Sequence, residues 1–113
     1  MSHELVVFVT TTNNEEAASI AEVLVSERLA ACVNILGAIE SVYRWEGKIT
    51  RDREALMIIK TTSERYPELE LRVKELHSYG TPEVLALKIE QGSADYLTWL
   101  RDQTAEGDEE KGR

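Results

Sequence analysis

Ile39-Glu40-Ser41-Val42-Tyr43-Arg44-Trp45-Glu46-Gly47-Lys48-Ile49-Thr50 reads as a β-hairpin, because β-branched and aromatic residues flank Glu46-Gly47, a pair suited to a two-residue turn. Extended both ways, its strands run from about Ala31 to Trp45 and from Lys48 to Thr61, about 45 Å each at about 3.3 Å per residue. A compact domain of this size has a radius of gyration near ~13 Å and a diameter of about 35 Å. The hairpin tip is therefore expected to overhang its own core. The register about the turn sets Tyr43 opposite Thr50, Glu40 opposite Arg53 and Lys60 opposite Val33, one residue along from the partner of Cys32. It also puts Ile39, Tyr43 and Trp45 on one face. Gly37 marks a candidate bulge.

Outside the hairpin, Leu5–Val9 is a continuous apolar run and predicts a central strand covered on both faces. Thr12-Asn13-Asn14-Glu15-Glu16 supplies an N-cap candidate followed three residues on by Glu. Ala17, Ile20, Ala21, Leu24 and Val25 then recur at helical spacing, which predicts a helix ending near Arg28. Tyr66–Leu76 predicts a second, amphipathic helix with Pro67 in its first turn. Gly80-Thr81-Pro82 is a turn, and Glu83–Ile89 a fourth strand. A short helix from Ser93 buries Tyr96, Leu97, Trp99 and Leu100. The order strand, helix, strand, strand, helix, strand is the ferredoxin-like split βαβ pattern: an α+β fold, an antiparallel sheet with two helices on one face. Residues 1–103 form one domain, and 104–113 a flexible acidic tail.

The other face of that sheet then lacks a cover. Tyr43 and Trp45 each carry roughly 150 to 250 Å² of buriable surface, so leaving them in water wastes several kcal/mol at about 25 cal/mol per Å². Pairing with neighbouring subunits, as in a closed three-fold ring, removes both the open face and the free edges. The 113 residues suffice for a core without disulfides or metal. A net charge of −8 with no basic cluster argues against nucleic acid and suits cationic ligands better. A single cysteine, Cys32, fits a reducing compartment. The start lacks a charged leader, and Leu5–Val9 is too short to span a membrane, so a cytoplasmic protein is expected.

Leu29-Ala30-Ala31-Cys32-Val33-Asn34-Ile35, Ser41-Val42-Tyr43-Arg44-Trp45-Glu46-Gly47-Lys48, Ile58-Ile59-Lys60-Thr61-Thr62, and Val73-Lys74-Glu75-Leu76-His77 with Tyr79, Pro82 and Glu83 together resemble the CutA divalent-cation-tolerance family, over roughly residues 5 to 101. The resemblance implies a ferredoxin-like trimer similar in architecture to the PII signalling proteins, with strands shared between subunits. It further implies a soluble protein linked to tolerance of copper and other divalent metals, for which copper binding is described and no enzymatic reaction is established. One departure stands out. The family usually shows His-Pro-Tyr followed by Asp or Glu, whereas this chain reads His77-Ser78-Tyr79-Gly80, which removes a possible oxygen ligand.

Candidate site residues carry two readings each. Cys32 is the only soft ligand, and with His77 and Glu83 it forms the candidate set for copper or another divalent cation; otherwise it is a small buried strand residue. His77 either caps the second helix, its ring favoured by the exposed carbonyls, or joins a ligand set. Tyr43, Trp45, Lys60, Tyr79 and Glu83 line a candidate pocket between subunits. There Lys60 opposes a metal at Cys32 and favours a small anion; otherwise Lys60 guards a sheet edge against aggregation, and Tyr43 and Trp45 pack an interface. No catalytic triad, phosphate loop or zinc-helix motif appears, and no enzyme is expected. The leading reading is a cytosolic homotrimeric divalent-cation-tolerance protein that binds copper or a related metal. The alternative is a PII-like module holding a small ligand between subunits.

Overall fold

Glu46 (φ 50°) and Gly47 (φ 80°) both sit in the left-handed region, the backbone of a primed two-residue turn whose twist matches the strands it joins. They connect β2 (Cys32–Trp45) to β3 (Lys48–Thr62). In the computed structural model, which describes residues 2–105, the other elements are β1 (Glu4–Thr11), α1 (Asn14–Ser26), α2 (Tyr66–Leu76), β4 (Val84–Lys88) and α3 (Ala94–Gln103). The sheet order is β2-β3-β1-β4, with β1–β3, β1–β4 and β2–β3 all antiparallel. This is the expected ferredoxin-like arrangement. Of the tail expected over 104–113, residues 106–113 lie outside the described residues. Thr104 is buried, and its hydroxyl donates to the Leu100 carbonyl at 3.1 Å.

Local chemistry explains the helices. Asn13 caps α1, its Oδ1 accepting from Glu16 N at 2.8 Å, and Pro67 occupies the first turn of α2, where a missing amide proton costs least. Ser93 caps α3. Ala17, Ile20 and Leu24 of α1 and Leu69 and Val73 of α2 pack with Val7, Val9, Ala55, Met57 and Ile59 into one core. α1 and α2 therefore cover one sheet face, while α3 lies against β1 and β3 outside that core, its Arg101 bonded to Glu4 on the side of Val6 and Phe8. Along β1 the alternate residues Leu5, Val7 and Val9 are buried while Val6 and Phe8 are half-buried, which corrects the expectation that β1 is covered on both sides. Strand alternation and pairing place Val6, Phe8, Leu56, Ile58, Leu85 and Leu87 together on the opposite face. Leu85 and Leu87 are each 56% exposed there. In α3 only Leu100 is buried; Tyr96, Leu97 and Trp99 are half-buried, a second departure from expectation.

The hairpin outruns the sheet. β1 pairs only with residues 55–62 of β3, so Ile39–Trp45 and Lys48–Glu54 project as a two-stranded arm of about 23 Å. The molecule measures 47 × 26 × 23 Å with a radius of gyration of 14.8 Å, against about 13 Å for a compact chain of this length. Near the tip the register is as expected, Tyr43 opposite Thr50 and Glu40 opposite Arg53. A shift between Leu36 and Ile39 then moves the remainder by one residue. Cys32, not Val33, consequently faces Lys60. The cause is a bulge at Gly37-Ala38, with Ala38 at φ 61°. A Cβ at Gly37 would approach the Asn14 side-chain amide to 2.6 Å, so that exposed side chain would have to turn aside. Gly37→Ala is expected to cost at most about 1 kcal/mol in urea unfolding, since the exposed Asn14 side chain can turn aside, and adding Asn14→Ala to recover most of that loss; equal loss in the double variant would remove this steric account.

Candidate functional site

The loop between α2 and β4 crosses the end of β1 and ties three elements together. His77 caps α2 with its backbone amide on Val73 O at 2.9 Å. Its ring, however, turns away from the helix carbonyls toward β1. Nδ1 accepts the Tyr79 amide proton at 3.0 Å, which leaves the ring proton on Nε2, donated to Thr10 O at 2.7 Å. With its side chain fully buried and both nitrogens engaged, His77 is a structural tie. No lone pair is left for a metal ion.

Glu16 holds the same loop from α1. One carboxylate oxygen accepts from the amide and hydroxyl of Thr12, and the other from Ser78 N at 2.7 Å. Burial alone would raise its pKa, but the hydrogen bonds from Thr12 and Ser78 outweigh burial and lower it from 4.5 to about 2. Tyr79 carries the connection onward. Its ring lies against His77 at a centroid distance of 4.8 Å, and its hydroxyl donates to Glu54 Oε2 at 2.8 Å. Glu54 is only 7% exposed. Next along the same face, Tyr43 donates to Asp52. Burial, then the Glu54 hydrogen bond and charge, push the Tyr79 hydroxyl well above its usual range; the hydrogen bond to Asp52 raises that of Tyr43. The root of the arm is thus acidic, with two carboxylates on the face opposite α1 and α2.

Cys32, His77 and Glu83 do not converge within one chain. Cys32 pairs with Lys60, itself paired with Val6, whereas His77 binds Thr10, four residues and about 13 Å further along β1. Glu83 is exposed just before β4, at the His77 end of the sheet. Among the described residues no three His, Cys, Asp or Glu side chains gather as a metal cage. Of the candidate pocket, Tyr43 and Tyr79 meet through Asp52 and Glu54, and Trp45 stands 58% exposed at the arm tip. Lys60 is six residues along β3 from Glu54, about 20 Å away. A copy beyond the single chain is needed to join them. A shallow groove of about 490 Å³ lined by Thr62, Arg65, Glu68 and Arg101 lies elsewhere, with Arg65 bonded to Glu68 and Arg101 to Glu4.

Glu16, Asp52 and Glu54 were not singled out from the sequence. Glu54 had a legible signal, since the hairpin register places it opposite Ile39 and on the face of Tyr43. Glu16 had a weaker one, as the acidic residue three places after the Asn13 cap. Their convergence on the Tyr79 loop has no local signature.

Residues 5–103 match the family model described as CutA1 divalent ion tolerance protein. The chain belongs to this family. It is 50% identical over 101 residues to the divalent-cation tolerance protein CutA of Thermus thermophilus, covering 89% of this chain and 98% of that protein. A solved structure of the Thermus thermophilus protein superposes with a TM-score of 0.88, covering 90% of this chain and 99% of that one at 49% identity. CutA1 from Oryza sativa superposes at 0.90 with 48% identity, covering 93% and 96%. The curated rice protein, named Protein CutA 1, chloroplastic, is 49% identical over 102 residues, which are 90% of this chain and 58% of that longer protein. These matches confirm the divalent-cation-tolerance family and the ferredoxin-like fold.

The Glu16 geometry sets a pH dependence. Because the folded pKa lies below the ordinary 4.5, the carboxylate stabilises the fold above that value, and the contribution falls away between about pH 4.5 and 2. Glu16→Gln is expected to cost on the order of 2 kcal/mol at pH 7 and close to nothing near pH 2. Urea unfolding across that range checks it, and a pH-independent loss would count against the ionic origin.

Proposed function

We propose that this chain is a non-catalytic, homotrimeric protein of divalent-cation tolerance that binds copper or a related divalent ion weakly, with ligands drawn from more than one copy, and so contributes to the response to metal ions. The uncovered apolar sheet face carries this reading. Leu36 at 50% and Leu85 and Leu87 at 56% exposure, beside Phe8 and Ile58, form a face that water penalises. The overhanging arm, with Trp45 at 58% and Ile49 at 71%, offers the complementary surface. Three-fold closure covers both at once. Membership of the family supplies the divalent-cation connection. A cytoplasmic location rests on the single free cysteine, Cys32.

Of the three ligands suggested by sequence, Glu83 is the one exposed to an incoming ion, while His77 is engaged and Cys32 faces an ammonium. Asp52 and Glu54 lie on the arm root and Glu83 at the same end of the sheet, so carboxylates of neighbouring copies supply the oxygen ligands in this proposal. A PII-like module with a small anionic ligand between copies is the second reading, favoured by one observation: Lys60 stands beside Val6, Ile58 and Leu87, about 20 Å from the carboxylates of the arm root.

Light scattering at micromolar concentration is expected to give three times the 12.8 kDa chain mass, and a single-chain mass would sink the assembly. Calorimetric titration with copper(II) is expected to show affinity at least fivefold weaker in a Glu54→Gln/Glu83→Gln variant and unchanged in Cys32→Ser. Affinity insensitive to the two carboxylates would remove the metal site proposed here.

A further inference from the structure

A cationic donor set occupies the face opposite α1 and α2, at the end away from Asp52 and Glu54, where the neighbouring carboxylate, Glu4, is paired with Arg101. Cys32 and Lys60 are direct cross-strand partners, Val6 flanks Lys60 on its other side, and Leu87 continues the row beyond Val6. Asn34, the next residue of β2 on this face, turns Oδ1 toward both: it accepts a hydrogen bond from Lys60 Nζ and lies 3.9 Å from Cys32 Sγ. With that oxygen committed, the Asn34 amide group keeps its N–H donors and the ammonium keeps two of its three. Among the described residues no carboxylate forms an ion pair with Lys60. In a chain of net charge −8, this corner holds a positive charge and surplus donors amid Val6, Ile58 and Leu87.

We infer that Lys60 and Asn34, with Cys32 beside them, form an oxyanion site at the seam between copies. The inference rests on the reading that further copies cover this face. Once they do, the Lys60 ammonium loses water, and a nearby anion is what favours keeping a desolvated lysine charged. The same charge repels a divalent ion from the Cys32 thiol, which assigns the two ends of the face opposite ligand chemistries: anion at Lys60, cation at Glu54 and Glu83. The oxyanion comes as a free phosphate-like ion or as a carboxylate of a second copy, both presenting the same acceptor oxygens.

The full chain is titrated with inorganic phosphate at constant ionic strength, with chloride as control, by calorimetry and thermal shift, alongside Lys60→Met, Lys60→Arg and Asn34→Ala, with mass followed on dilution. A free oxyanion gives saturable phosphate binding in the parent chain and Lys60→Arg, weakened at least tenfold in Lys60→Met. Asn34→Ala, which keeps the charge, reports a smaller loss should Lys60→Met fail to fold. A neighbour's carboxylate gives no phosphate effect; instead Lys60→Met raises the concentration at which the assembly dissociates at least tenfold, and Lys60→Arg restores it. The inference is overturned if phosphate acts no differently from chloride and Lys60→Met assembles as tightly as the parent. A monomeric parent chain overturns the assembly reading by itself, and Lys60-dependent phosphate binding in that monomer would still support the site.

Discussion

A sheet has two faces, and α1 and α2 cover one of them. Burial of Val7, Val9, Met57 and Ile59 beneath α1 and α2 fixes, through strand alternation, that Phe8, Ile58, Leu85 and Leu87 point the other way. The second face keeps an apolar centre in Phe8, Leu56, Ile58, Leu85 and Leu87, with polar residues towards its ends. Fold, arm and candidate sites all follow from that asymmetry, because whatever binds on the open face meets an apolar floor with a few polar groups set into it.

The polar groups are sorted by position along the strands. Lys60 and Asn34 stand near the start of β2, and Asp52 and Glu54 stand about 20 Å away at the arm root. The α2–β4 loop reinforces the acidic end. His77, Glu16 and Tyr79 tie β1, α1 and the arm through Thr10 O, Ser78 N and Glu54. A histidine that in sequence resembles a ligand thus serves as a strut, since a buried ring with both nitrogens satisfied has nothing left to give. Ser78 and Gly80, where the family pattern has Pro and an acidic residue, bear on this as well: the Ser78 amide proton bonds Glu16, a bond proline could not make.

Much of the fold was legible because its signals are local. The Glu46-Gly47 turn, the Asn13 and Ser93 caps and Pro67 at the start of α2 depend on a few neighbouring residues, and the expected elements stand nearly where those signals placed them. The Lys60 pairing was missed by one residue because a bulge at Gly37-Ala38 is a backbone event: Gly37 hints at it, but only the register shift and the left-handed Ala38 fix it. Continuous apolar residues in β1 suggested two covered faces, yet an uncovered apolar face has the same composition as a buried one.

The sequence by itself determined the order of elements, the tip register of the hairpin, its excess length and the family, since each is written in short-range pattern or in motif identity. Tertiary structure alone decided that Cys32 faces Lys60, that His77 is occupied, and that the 77–79 loop bonds Thr10 of β1, Glu16 of α1 and Glu54 of β3. Those outcomes turn on distances of a few ångströms between residues far apart in the chain, where a one-residue shift in strand pairing exchanges one neighbour for another.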